Sequence, residues 1–238
     1  MRSRAAITAC ACTVLVALPT RAEVEALGFS TDGKHAVLLE HGVADGSGFP
    51  WARVTIFEAA KNAVVGKPIE VSLETDGATE AQAVEQAKKA FEASRVRLSI
   101  AALRPGKEIR HDEKGELHDR EGAPIGTLKI TSRKAKAREM AKQCYQPFSP
   151  LLLTLTLYWM DDDNPAKLLS EKKVPKDRAC LTGCDLGKVF ADGTTAIFVL
   201  QCGAQGFEGT NSRSVPVAAH LRYGLDEDLP GSDAKPSE

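Results

Sequence analysis

The chain has 238 residues, 43% hydrophobic and 26% charged, with a formal net charge of −1. That composition belongs to a folded globular protein and argues against disordered, collagenous and multi-span membrane chains. The near-neutral charge argues against a dedicated nucleic-acid binder, which must neutralise phosphates with Lys and Arg. The length suits one domain with one sizeable core.

Residues 1–22 read MRSRAAITACACTVLVALPTRA. Arg2 and Arg4 precede a 14-residue run, 5–18, broken only by Thr8 and Thr13. Pro19 ends any helix, and Thr20 and Ala22 are small residues placed for cleavage. This pattern predicts a secretory signal peptide, removed after Ala22. As a helix the run spans about 21 Å, short of the roughly 30 Å hydrocarbon core, so a membrane anchor is disfavoured. Removing it takes away three Arg and leaves a net charge of −4. No second long apolar run follows, so the mature chain is expected to be exported and without a membrane span.

Residues 24–40 hold two apolar runs around Asp32-Gly33, a hairpin signal because Gly accepts positive φ in the turn. A Gly-rich loop, 42–50, follows. Residues 53–58 alternate with period two and predict a half-buried strand. Val64-Val65 and residues 69–73 suggest a further strand or hairpin. Thr79-x-x-Gln82 fits a capping box. Val84, Ala87, Phe91, Ser94 and Leu98 then recur at helical spacing, predicting a helix over 79–95 whose apolar face packs on a sheet. Residues 104–124 are charged and read as an exposed hairpin or loop.

Strands are expected at 126–131 and 151–160, with a short basic helix at 133–142 between them. Asp161-Asp-Asp-Asn164 reads as a polar turn rather than a calcium loop, because its oxygens are not at alternate positions and Pro165 replaces the turn glycine. Residues 167–174 pair with 151–160. Residues 196–202 form a central strand. Residues 215–223 form the last one, at an edge or bulge because of Pro216. Residues 226–238 are acidic and poor in apolar side chains, and a disordered tail is expected. The fold class is α+β: mainly antiparallel sheet over 23–225, with one substantial helix. Residues 29–39 also align with 189–199, with Asp32/Asp192, Gly33/Gly193 and Ala36/Ala196 identical. Duplication and chance recurrence of Asp-Gly hairpins both remain open.

Of six cysteines, Cys10 and Cys12 leave with the signal. The remaining four, in an oxidising compartment, predict two disulfides. Zinc is disfavoured because Cys180-x3-Cys184 is wider than a CxxC half-site and no His pair follows. A hairpin turning at Asp192-Gly193 pairs residues whose numbers sum to about 385 or 386, which sets Cys184 opposite Cys202. Cys144 then pairs with Cys180. The rival, Cys180 with Cys184, closes a very tight loop.

Gly28-Phe-Ser-Thr-Asp-Gly-Lys34 resembles the strand–turn signature of TolB-like and WD40-type propeller blades. A whole propeller is not expected, since at least four blades of about 40–45 residues are needed. The GFSxDG turn followed by Glu40-His-Gly-Val-Ala-Asp-Gly-Ser-Gly-Phe-Pro50 resembles a bacterial family of predicted secreted proteins of no assigned function. The resemblance implies export and supplies no catalytic residue.

The search for chemistry is largely negative. GxSxG, HExxH, GxGxxG after a strand and GxxxxGK[ST] are all missing, and no cofactor or metal is expected. His111-Asp112 and His118-Asp119 flank a turn that would bring them together as a shallow metal site, or would simply be a charged hairpin. Arg133–Arg138 is basic and reads as a solvated helix face. The loop beside His41, Asp45, Phe49 and Trp51 is the candidate binding rim. Its three glycines in seven residues imply special backbone angles or close approach of another chain. Two function classes stay open: a non-enzymatic envelope or secreted protein binding an unknown protein or small ligand, or a divergent hydrolase using Ser47 and His41 of the 41–51 loop.

Overall fold

The computed structural model describes residues 22–44, 46–136, 144–145, 147–160, 162–175, 180–205 and 210–225. The first sheet is built from β1 (Glu23–Ser30), β2 (His35–Val43) and β3 (Pro50–Glu58), with β4 (Ala63–Val64) and β5 (Ile69–Ser72) pairing along β3. Helix α1 (Glu80–Arg97) covers one face of that sheet. The second sheet comprises β13 (Leu181–Asp192), β14 (Thr195–Gln205) and β15 (Thr210–His220). The third is led by β10 (Pro124–Lys134), β11 (Leu151–Trp159) and β12 (Asp162–Ser170). All pairings are antiparallel.

Packing orders these layers as helix, first sheet, second sheet, third sheet. Val37, Leu39, Val54 and Ile56 meet Ala83, Ala87 and Phe91 of α1. On the opposite face, Ala36 and Leu38 meet Ile197, Val199 and Ala218 of the second sheet. Beyond that, Ala196, Phe198 and Leu200 meet Leu153, Leu155 and Leu157 of the third. This explains why β2 and β14 read as continuous apolar runs. Each is buried on both faces, so period-two alternation is lost.

Helix α1 begins one residue after Thr79, and the capping box with Gln82 is formed in both directions. Its buried stripe is Ala83, Ala87 and Phe91, with Val84 packed partly against it. Leu98, expected on this face, is 37% exposed at the C-cap.

The charged segment holds the expected hairpin and more. It forms β6 (Leu103–Arg104), β7 (Lys107–Glu108), β8 (Arg110–His111) and β9 (Glu116–His118), with β8 and β9 paired as a hairpin. β6 joins the edge of the first sheet, β7 that of the second, and β8–β9 that of the third. Ile109 and Leu117 are buried between the charges and anchor the crossing. Edge pairing satisfies backbone groups while leaving charged side chains in water, so composition alone reads as loop. Other differences are local. Arg133 and Lys134 end β10 rather than starting a helix, and residues 137–142 of that expected helix lie outside the described residues. β12 opens at Asp162, so the turn lies earlier than expected. Residues 1–21 of the signal segment and the tail also lie outside the described residues.

The two Asp-Gly hairpins touch. The Thr195 hydroxyl donates to the Gly33 carbonyl at 2.9 Å, and Arg104 pairs with Asp192 at 2.7 Å. Cys184 faces Cys202 and is bonded to it, with Cα atoms 4.0 Å apart; Cys144 is bonded to Cys180, at 5.6 Å. The register deserves correction. At the turn, Asp192 pairs Thr195 and Val189 pairs Phe198, one residue off the expected sum. An irregularity between Leu186 and Lys188 then shifts β13 by one and brings Cys184 opposite Cys202.

Candidate functional site: a cleft beside the glycine-rich loop

Adjacent strand residues point to opposite faces, so Glu40 and His41 serve different surroundings. Glu40 faces the second sheet. There β3 and β15 part and leave an open cleft of about 830 Å³, within the size range of small-molecule sites. Its walls include Trp51, Arg53 and Thr55 of β3, Arg213 and Ser214 of β15, and Leu169 of β12. Glu40 forms part of the floor and is 8% exposed.

Polar groups converge on that floor. Arg53 sits opposite Glu40 across the β2–β3 ladder, and its guanidinium reaches Glu70 at 2.9 Å. The Ser214 hydroxyl accepts from the Gln201 amide at 3.1 Å and adds a polar group to the same wall. Burial pushes the Glu40 carboxyl above its ordinary value; Arg53, Arg213 and the Ser214 hydroxyl pull the other way and do not overcome it. A raised carboxyl favours folding at low pH and loses that contribution as pH rises through its folded value. Glu40→Gln should therefore gain stability relative to the parent as pH goes from about 4 to about 8. Urea melts of both proteins across that range check this. A difference that stays flat or shrinks with pH would contradict it.

The structure separates the expected rim residues. Trp51 lines the cleft, its indole beside Gly42, where a Cβ would lie 3.7 Å from Nε1. His41 faces α1 instead, with Nδ1 hydrogen-bonded to Glu80. Phe49 is half-buried and does not line the cleft; its carbonyl accepts from Ala44 at 2.8 Å and closes the loop. Asp45 lies outside the described residues. Gly46 and Gly48 have φ of +82° and +72°, yet a Cβ on either would meet nothing within 4 Å. The glycines thus answer to backbone angle, not to close approach.

The exposed Ser47 hydroxyl accepts from the Phe49 amide at 3.4 Å, and no hydrogen bond joins it to His41 among the described residues. Arg110 pairs with His118 and His111 with Leu117, which puts the two histidines on opposite faces of their hairpin. His111 instead contacts the Gly187 carbonyl at 3.1 Å. Arg53 and Arg213 belong to no site motif in the sequence. Only Glu40 carried a local signal, as a charge inside the apolar run VLLEHG.

Three stacked sheets, two disulfides and an open polar cleft define a β-rich, disulfide-stapled extracytoplasmic protein. The chain belongs to the DUF2259 family of predicted secreted proteins, whose profile matches residues 37–220. No curated protein and no solved structure matches it. The family description and the disulfides agree on a secreted or periplasmic location. No helix among the described residues is long and apolar enough to cross a membrane.

Proposed function

We propose that this is a non-enzymatic binding protein of the cell envelope or medium, acting after removal of residues 1–22 as one domain over 23–225. Its ligand is a small organic anion with an apolar body, held in the cleft. The observation that carries this reading is the convergence of Arg53, Arg213 and the Trp51 indole above a buried carboxyl. Guanidinium groups recognise carboxylate and phosphate geometry, and an indole offers a flat apolar surface. The stacking also supports duplication of the hairpin units. Aligned residues 36 and 196 face the same way along the stack, one toward the second sheet and one toward the third, as in successive propeller blades.

Tryptophan emission and melting temperature, followed against aryl and alkyl carboxylates, phosphates and matched neutral amides, test the proposal. At least one anion should bind saturably, and Arg213→Ala should weaken it by about 10-fold or more, the scale of one charge-assisted contact. Equal binding of the neutral amides, or no effect of Arg213→Ala and Trp51→Phe, overturns it. Turnover of ester or peptide substrates that Ser47→Ala abolishes would support the hydrolase reading instead.

A further inference from the structure

On the other face of β2, His41 is enclosed by carboxylates from two distant elements. Its side chain is 9% exposed. Nδ1 is hydrogen-bonded to Glu80, in the first turn of α1. Nε2 lies 3.4 Å from Glu25 Oε1 and 4.0 Å from Glu23 Oε2, both on β1. Buried as it is, Nε2 makes no hydrogen bond. It lies beside the two carboxylates without hydrogen-bonding to either.

We propose that Glu23, Glu25 and His41 form a binding site for a divalent transition ion of the zinc type, with Glu80 orienting the imidazole. Three observations support it. First, the ligand atoms of the three residues lie within 4.8 Å of one another. Two donors held about 2.1 Å from one tetrahedral ion sit about 3.4 Å apart, which is the spacing of Nε2 and Glu25 and near that of Glu23. Second, a metal-bound histidine commonly donates its other N–H to a carboxylate, fixing the tautomer, and Glu80 occupies that place. Third, charge is unbalanced. Glu23, Glu25 and Glu80 gather around one imidazole, and Lys88 lies 3.9 Å from the second oxygen of Glu25. Glu25 Oε1 is thereby left for the ion. One nitrogen and two carboxylates favour zinc over calcium, which takes six to eight oxygens. Glu23 and Glu25 are 74% and 51% exposed, so an ion can enter from solvent and keep a water as its fourth ligand.

The cleft plays no part in this site, so the two proposals fail separately. The experiment uses protein purified from the exported fraction, stripped with chelator and titrated calorimetrically with zinc, manganese or calcium ions alone. One equivalent of zinc should bind and raise the melting temperature, and calcium should bind at least about 10-fold more weakly. Glu25→Gln and Glu23→Gln should each weaken zinc binding by about 10-fold or more, with metal-free melting temperatures close to the parent. Glu80→Gln, which removes no ligand, should weaken it by about 10- to 100-fold. Absence of zinc binding, calcium binding as tightly as zinc, or unchanged zinc affinity in the Glu23→Gln/Glu25→Gln double variant overturns the proposal.

Discussion

Replacing Cys184 and Cys202 together by Ala should lower the unfolding free energy by about 3 kcal/mol, and replacing Cys144 and Cys180 by about 4 kcal/mol. The ranking follows from loop length. The bonds join residues 18 and 36 apart, and the longer closed loop restricts the unfolded chain more. Ala is the better replacement at 202, because Cys202 is 1% exposed inside the core between the second and third sheets and a hydroxyl would need a partner there. Urea denaturation of the two double variants, with the parent oxidised and reduced, measures the effect. Losses under about 0.5 kcal/mol, or a peptide map linking Cys180 to Cys184, would refute the account.

Gly28→Ala should cost about 3 kcal/mol or more, whereas Gly46→Ala should cost about 1 kcal/mol. Both positions have positive φ, +144° and +82°. They differ in what a new Cβ meets. At Gly28 it would lie 2.5 Å from the Arg104 carbonyl oxygen, because the first sheet's bulge presses β1 against β6. That oxygen is backbone and cannot swing away, so a strand must move. At Gly46 the same atom enters open space. Val at 46 or 48 should raise the cost to about 1–2 kcal/mol, since a β-branched side chain suits this backbone region poorly. Thermal melts of the series decide it. Equal losses at 28 and 46 would show that packing against β6 does not matter.

Legibility followed the range of the interactions. The capping box at Thr79 and Gln82 involves neighbours three residues apart, and it was readable. The Asp-Gly turns and the edge placement of Pro216 were readable for the same reason. In charged residues 104–124 the hairpin was readable but the joining of three sheet edges was not, because edge strands need only their backbones to pair and two buried apolar side chains to hold. The register at Cys184 shows a compensation that no count along the chain reveals. The turn is one residue off the simple expectation, and the irregularity near Gly187 restores the pairing. A Cβ at Gly187 would lie 2.5 Å from Gln201, so small size is needed there.

The sites show the same division more sharply. The string from Glu40 to Pro50 drew attention to the right strand, and Trp51 does line a cleft. Which residues face that cleft depends on sheet sidedness, which sends Glu40 one way and His41 the other. Arg213 arrives from a strand some 170 residues later.

By itself the sequence determined the local state of the chain: where the helix starts, where hairpins turn, and that four cysteines remain for two bonds. Each of these is set by neighbours a few residues away or by composition. Only the tertiary structure decided the order of the layers, the stitching of three sheet edges by one charged segment, and the meeting of Glu23, Glu25 and Glu80 around His41. Those depend on which apolar faces stack. Stacking is chosen by burial summed over whole sheets, a quantity that no window of sequence contains.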